Sequence, residues 1–291
     1  MIDLHVHTDA SSDGVHTPEE IFEMAARLGV KVLAFADHNT TDNVDKGLEL
    51  SKKYDIPFVP AVEINSTHLG EDIHVLGYFI DHRSSEMVSF LSNTQNEIIA
   101  QTKERVSLLR EYGFVLNTDE VLRESKGKPP SGRSFLTALL KREENTGDKR
   151  LRNYVDGDRS DSPSLNFYLD FLSGGKPAYI PLKTSTTAGA IEIIEISRGL
   201  SVIAHPGEYP RGMLDDLFAL GADGIEVYSG HHNKAEEKYF KRYAMEKGLL
   251  MTAGSDFHGK IVKPIIELGV KIEGGEEMFE RFKRAHEEKY A

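Results

Sequence analysis

The chain contains no cysteine and no tryptophan. Without thiols there is no disulfide framework, and any metal site must be built from imidazoles and carboxylates. No stretch approaches the roughly 20 consecutive apolar residues needed to span a bilayer. The opening Met-Ile-Asp-Leu-His has neither a basic stretch nor an apolar one after it, so a signal peptide is not expected. Positive charge is also scarce, with 35 Lys and Arg against 47 Asp and Glu and a formal net charge of −12. That balance argues against binding along a nucleic-acid backbone, which needs clustered cations, but leaves room for a short end in a pocket. A cytoplasmic protein with no membrane association and no obligate protein partner is the expectation.

What is present is enough for a large core. The 291 residues are 39% hydrophobic, sufficient for one α/β barrel or one domain carrying an insertion. Short apolar strands alternate with amphipathic helices at first: IDLHVH, then TPEEIFEMAARLG with Thr17 as cap, Pro18 in the first turn and Gly29 as terminator. VKVLAFADH, NVDKGLELSKKYD, PFVPAVEIN and DIHVLGYFI continue the pattern. Such alternation predicts a parallel sheet or barrel.

One long helix is expected over about 86–112, and then strand signals thin out. Residues 95–187 carry 15 Lys and Arg against 13 Asp and Glu, a mildly basic segment in an acidic chain. Residues 93–187 read as a mainly helical insertion. Regularity returns near 188 with TAGAIEIIEISRG, LSVIAHP, RGMLDDLFALG, ADGIEVYSG, NKAEEKYFKRYAMEKG and LLMTAGSDFHG. PIIELGV is expected as a last short strand, and GEEMFERFKRAHEEKY as a closing helix. Residues 1–92 and 188–291 would then form one discontinuous barrel.

Histidine and acid placement carries the chemistry. His5 and His7 are two apart on the first strand, so they face the same side. Asp256 and His258 repeat that spacing near the other end of the chain. Asp13, His38, Glu63, His74 and His205 also fall at or beside strand ends. In a closed β/α barrel the C-terminal strand ends meet at one mouth. Six imidazoles and three carboxylates there suit two or three ions, since buried groups of this kind are costly unless paired or coordinated. His16, His68, His82 and His286 read as surface or locally satisfied residues.

DLHVHTDASSDG, ADHN, EIN, IHVLGY, IAHP and GSDFHG resemble, in order, the signature motifs of the PHP (polymerase and histidinol phosphatase) superfamily. The resemblance covers about 1–82 and 188–291. It implies a distorted (β/α)7 TIM-like barrel with a trinuclear metal centre holding Mn, Fe or Zn. It places His5, His7, Glu63 and Asp256 on one ion, Glu63, His74 and His205 on a second, and Asp13, His38 and His258 on a third. An Asp at position 13, where many members have His, fits the branch that carries a small insertion domain.

The activity this implies is hydrolysis of a phosphate ester in a small phosphorylated metabolite, by a hydroxide made available near neutral pH by bridging ions. Two substrates stay open, a nucleoside 3',5'-bisphosphate and a ribose 1,2-cyclic phosphate bearing a 5-phosphate. The stretch SGRSFLT departs from the GRPH-like run associated with the bisphosphate enzymes. His231 and His232 are candidates for the proton donor or for phosphate contact. Asp37 and Asp3 are candidates to orient the imidazoles. Arg133, Arg159 and Lys183 could hold a second anionic group, whereas Phe167, Tyr168 and Phe171 are spaced as helix core. The competing readings are exonuclease-like trimming of short oligonucleotide ends and a non-catalytic metal-holding domain.

Overall fold

The computed structural model describes residues 1–291. Seven strands form one sheet in chain order: β1 (Asp3–Val6), β2 (Leu33–Phe35), β3 (Phe58–His68), β4 (Glu71–Tyr78), β5 (Leu200–Ile203), β6 (Gly224–Ser229) and β7 (Leu250–Gly254). The sheet curls until its ends nearly meet. Past β7, the Asp256 amide donates to the His5 carbonyl at 2.8 Å and the His7 amide to the Phe257 carbonyl at 2.9 Å. This is the distorted TIM-like α/β barrel expected from the motifs.

Two expectations need correction. The sheet is not wholly parallel, because β4 runs antiparallel to both β3 and β5. Leu69 and Gly70, both at positive φ, join β3 to β4 in a tight hairpin with no crossover helix. PIIELGV forms no strand, and only Val270 bridges to Ile2.

Around the sheet lie α1 (Pro18–Leu28), α2 (Val44–Tyr54), α3 (Ser85–Glu111), α8 (Thr187–Ile196), α9 (Leu214–Ala219), α10 (Lys234–Lys247) and α11 (Gly275–Lys289), while α4 (Thr118–Glu124), α5 (Gly132–Leu140), α6 (Lys149–Arg152) and α7 (Pro163–Phe167) pack with the far end of α3. Local chemistry explains their ends. Thr17 and Glu20 form a reciprocal capping box on α1, and Gly29 at φ 74° stops it. Asn233 and Glu236 do the same for α10, with Gly248 as terminator.

The barrel interior is filled by small and medium side chains, among them Leu4, Ala34, Ala61, Leu76, Val202 and Ala253. They pack beneath the polar mouth. Residues 106–178 gather a separate apolar cluster that includes Phe114, Phe135, Phe167 and Phe171. The long α3 runs unbroken from the barrel side into that cluster, so position 93 falls inside a helix. Lys128 reaches back from this segment, and its Nζ donates to the carbonyls of Asp9 and Ser11, the latter at 3.1 Å.

Candidate metal centre

Strand ends deliver the polar groups to one place. His5 and His7 project from β1 and its exit, Glu63 from β3, and His74 from β4. Because β4 runs antiparallel, its opening half lies at the same end of the sheet as the exits of its neighbours. His205 and Asp256 follow β5 and β7 with φ of 26° and 60°. Non-glycine residues rarely occupy this left-handed region, at a cost of about 1–3 kcal/mol each. That turn bends both side chains off the strand axis towards the cluster.

All nine expected residues come together. Glu63 is fully buried at the centre. Its Oε2 lies 3.3 Å from His5 Nε2, 3.2 Å from His7 Nε2 and 3.1 Å from His38 Nδ1. Its Oε1 lies 3.0 Å from His74 Nδ1 and 3.1 Å from His205 Nε2. Asp256 Oδ1 is 3.1 Å from His7 Nε2 and 3.5 Å from His5 Nε2. On the far side His258 Nε2 is 3.4 Å from Asp13 Oδ1, and the His7 and His258 rings stack at 3.8 Å. His38 Nε2 reaches Asp13 Oδ2 at 3.9 Å.

These contacts are short, yet many are not hydrogen bonds. His5 Nε2, His7 Nε2, His38 Nδ1, Glu63 Oε2, Asp256 Oδ1 and His258 Nε2 are buried with no hydrogen-bond partner. The atoms lie side by side and aim at common points between them. For bonds of about 2.1 Å, neighbouring ligand atoms on one ion sit about 3.0 Å apart in octahedral and about 3.4 Å in tetrahedral geometry. The observed spacings fall at these values. An all-nitrogen and oxygen set of this kind fits divalent transition-metal ions.

The other nitrogen of five of the six imidazoles is tethered. His5 Nδ1 donates to Glu226 Oε1 at 3.0 Å, His7 Nδ1 to Ser11 Oγ at 3.1 Å, and His258 Nδ1 to the Asp256 carbonyl at 2.9 Å. His205 Nδ1 lies 3.1 Å from Glu208, and His74 Nε2 meets the Asn65 amide at 2.8 Å. Such bonds fix ring orientation and tautomer. Asp256 Oδ2 is held by the Lys263 ammonium and, at 2.7 Å, by His231 Nε2.

Burial and neighbouring charge act differently on the imidazoles. Burial works against the His7 imidazolium, but Asp256 and Glu63 outweigh it and hold its pKa up at about 9. Burial pushes His38, with less help, down to about 3.

Several expected residues do something else. Asp37 lies outside the cluster: its oxygens accept from the Thr8 amide at 2.6 Å and the Thr8 hydroxyl at 2.7 Å, and burial raises it to about 6. Asp3 likewise accepts from Ser255, from the Gly269 amide and from the His5 backbone rather than from an imidazole. Both staple backbone. His232 donates from Nδ1 to the Val227 carbonyl, accepts from the Gly207 amide and packs on Phe240, which leaves it no free nitrogen. His231 is the one of the pair beside the cluster.

A cleft of about 1070 Å³, counted up to its open mouth, runs from the cluster to α3, α5 and the α7 region. Arg133 lines it, as do Arg105, Tyr168 and Lys263. Arg159 is paired to Asp170 beside an adjoining hollow, and Lys183 is exposed away from the cleft. Phe167 and Phe171 are core, as their spacing implies, whereas Tyr168 faces the cleft. Glu226, Glu208, Lys263 and Arg105 escaped sequence reasoning. The signal for Glu226 was available: a lone carboxylate inside the apolar strand GIEVYS.

Comparison with known proteins places the chain in a class. The PHP domain family matches residues 3–125. The chain is 30% identical over 280 residues to the 5'-3' exoribonuclease Rnm of Escherichia coli, covering 94% of this chain and 89% of that one. It is 28% identical over 264 residues to a 3',5'-nucleoside bisphosphate phosphatase of Chromobacterium violaceum, covering 88% and 87%. It is 26% identical over 264 residues to a phosphoribosyl 1,2-cyclic phosphate 1,2-diphosphodiesterase of Eggerthella lenta, covering 89% and 94%. A crystal structure from Bifidobacterium adolescentis, described provisionally as a metal-dependent phosphoesterase, superposes with a TM-score of 0.73 at 26% identity, covering 96% and 94%. The chain belongs to the PHP family.

Proposed function

We propose that the chain hydrolyses a phosphate ester in a small phosphorylated metabolite, using two or three divalent ions (Mn, Fe or Zn) held by His5, His7, Asp13, His38, Glu63, His74, His205, Asp256 and His258. One observation carries this reading: six buried donor atoms, none hydrogen-bonded, converge at metal-ligand spacing beside an open cleft. Bound divalent ions would supply Lewis-acid polarisation of a phosphoryl oxygen and a hydroxide at neutral pH.

The chain's own groups do the rest. Glu63, with imidazoles against both oxygens, is placed to bridge two ions. Lys263 and His231 fix Asp256 through Oδ2 and leave Oδ1 facing the cluster. Lys263 and Arg133 put positive charge in the cleft, where phosphate oxygens would lie. His231, 2.7 Å from Asp256 and 3.7 Å from Glu208, is the proton donor that this reading assigns to the departing oxygen. Residues 93–187 act as the unit that selects the substrate, since they wall the cleft opposite the cluster. The nucleoside bisphosphate and the cyclic ribose phosphate both stay in view. Trimming of a short oligonucleotide end is the alternative, favoured by the name of the Escherichia coli relative.

The test is metal analysis of the purified protein, followed by phosphate release after Mn addition from adenosine 3',5'-bisphosphate, a cyclic ribose phosphate and a short 5'-phosphorylated RNA. Bound metal and release from at least one are expected, with Asp256→Ala lowering the rate by more than about 100-fold while its circular dichroism stays native. No bound ion and no release from any substrate would overturn the proposal.

A further inference from the structure

A lysine of residues 93–187 reaches across to the loop that carries Asp13. Lys128 Nζ donates to the backbone carbonyls of Asp9 and Ser11, the latter at 3.1 Å. It has no carboxylate within 4.0 Å, so the ammonium is not spent on a surface ion pair. Hydrogen bonds from a charged donor are stronger than neutral ones. The lysine is itself held in place. Its amide donates to the Ser125 carbonyl at 3.1 Å, Gly127 turns the chain at φ 85°, and Pro129 and Pro130 follow. A following proline steers Lys128 towards extended backbone.

The receiving loop has little support of its own. Ser12 and Asp13 form no backbone–backbone hydrogen bond. The Asp13 carboxylate is tied through Ser11, whose hydroxyl donates to Oδ1 at 3.1 Å. The same hydroxyl accepts from His7 Nδ1 at 3.1 Å and from the His38 amide at 3.2 Å. Its donor and both acceptor positions are thereby used. Ser11 is fully buried and joins three residues of the donor cluster. Two of them have other anchors: the His7 amide donates to the Phe257 carbonyl at 2.9 Å, and His38 bridges to Glu63. Asp13 has no comparable backbone anchor.

We propose that Lys128 is a positioning residue for the ion site bounded by Asp13, His38 and His258. Lys128 holds the Ser11 carbonyl, Ser11 holds Asp13, and Asp13 Oδ1 is thereby kept 3.4 Å from His258 Nε2. Lys128 lies outside the cleft lining, but Pro129, Pro130 and Arg133, close behind it in the chain, belong to that lining. The segment that walls the substrate cleft thus also sets how firmly this ion is held. The inference rests on the metal-centre reading above and adds a residue to it.

The experiment compares wild type, Lys128→Met and Asp13→Ala, each stripped of metal and titrated with Mn²⁺ against a chromophoric chelator. Lys128→Met keeps an apolar stem of similar length and removes the donor. It should weaken the class of ion that Asp13→Ala loses by about tenfold, the lower end of what losing a group that supports a ligand costs, and leave the other ions within about twofold. Hydrogen exchange of the metal-free protein is the second readout. The amides of Asp9, Ala10 and Ser11 are bonded to the His16 carbonyl, the Thr8 hydroxyl and the Thr8 carbonyl. They should exchange about tenfold faster in Lys128→Met, with the β1 amides unchanged.

Unchanged affinity for that class of ion overturns the proposal. Equal weakening of every class also overturns it and makes Lys128 a general support of the fold. Asp13→Ala that keeps every ion, or exchange at residues 9–11 that matches wild type, overturns it as well. If wild type binds no ion but exchange at these amides still rises in Lys128→Met, the tether stands and the metal reading falls.

Discussion

Glu226→Gln separates orientation of the metal ligands from ligation itself. Glu226 is fully buried in β6 and uses both oxygens: Oε1 accepts from His5 Nδ1 at 3.0 Å, and Oε2 accepts from the His205 backbone amide at 2.9 Å. Burial raises its pKa, but His5 and then His205 outweigh this and hold it below its usual range. Glutamine has the same shape and only one acceptor oxygen. If that oxygen takes the His205 amide, the glutamine NH₂ faces His5 Nδ1 and donates to it. His5 then carries its proton on Nε2, the nitrogen that faces Glu63 and Asp256. If the oxygen takes His5 instead, the NH₂ meets the His205 N–H donor to donor, leaving a buried amide unpaired at a cost of about 1–3 kcal/mol.

Either outcome penalises the metal-bound state. Loss of such an orienting partner lowers metal affinity by about 10–100-fold, or about 1.4–2.8 kcal/mol. Competition with a chromophoric chelator measures it directly, and metal content after dialysis gives a second readout. Wild-type affinity and stoichiometry in Glu226→Gln would refute the idea that Glu226 sets the His5 tautomer.

Three further outcomes follow from the same geometry. His7 is held at about 9 in the metal-free protein, so metal loading at pH 7 should release a proton and apparent affinity should rise with pH up to about that value. Calorimetry in buffers of different ionisation heat detects the proton, and its absence would contradict the assignment. Because the folded value lies above the ordinary 6.5, the His7 contribution to metal-free stability is full below 6.5 and disappears as pH rises through about 9. The melting temperature of the metal-free protein should therefore fall across that window. Gly254→Ala would place a Cβ 2.1 Å from His5 Cβ and 2.8 Å from Glu226 Oε1. It should cost about 1–3 kcal/mol and reduce bound metal, whereas an unchanged melting temperature and metal content would show that β1 and β7 can separate there.

The donor set was legible because its pattern is local and repeated. HxH and DxH spacings place pairs on one strand face, and strand exits are recognisable from apolar runs ending in polar residues. His231 stood out for the same reason, but so did His232, and the two can be told apart only by what surrounds them. His232 is taken up by the Val227 carbonyl and the Gly207 amide. Asp37 and Asp3 misled in a similar way. Asp37 next to His38, and Asp3 two residues before His5, were expected to orient those imidazoles, yet their oxygens are taken by Thr8 and Ser255. The residue that does orient His5 comes from β6, 221 positions away.

The sequence by itself determined the acidic, cysteine-free character of the chain, the β/α order, the two flanks of the barrel and the nine polar groups bound for its mouth. These follow from composition, strand alternation and helix caps, all of which act over a few residues. Tertiary structure alone decided that β4 runs antiparallel, that Glu63 sits at the centre with five imidazoles around it, and that Arg105 is buried unpaired while Arg159 is spent on Asp170. Burial and pairing depend on segments far apart in the chain, and a charged side chain looks the same in sequence whether water, a carboxylate or an empty cleft stands in front of it.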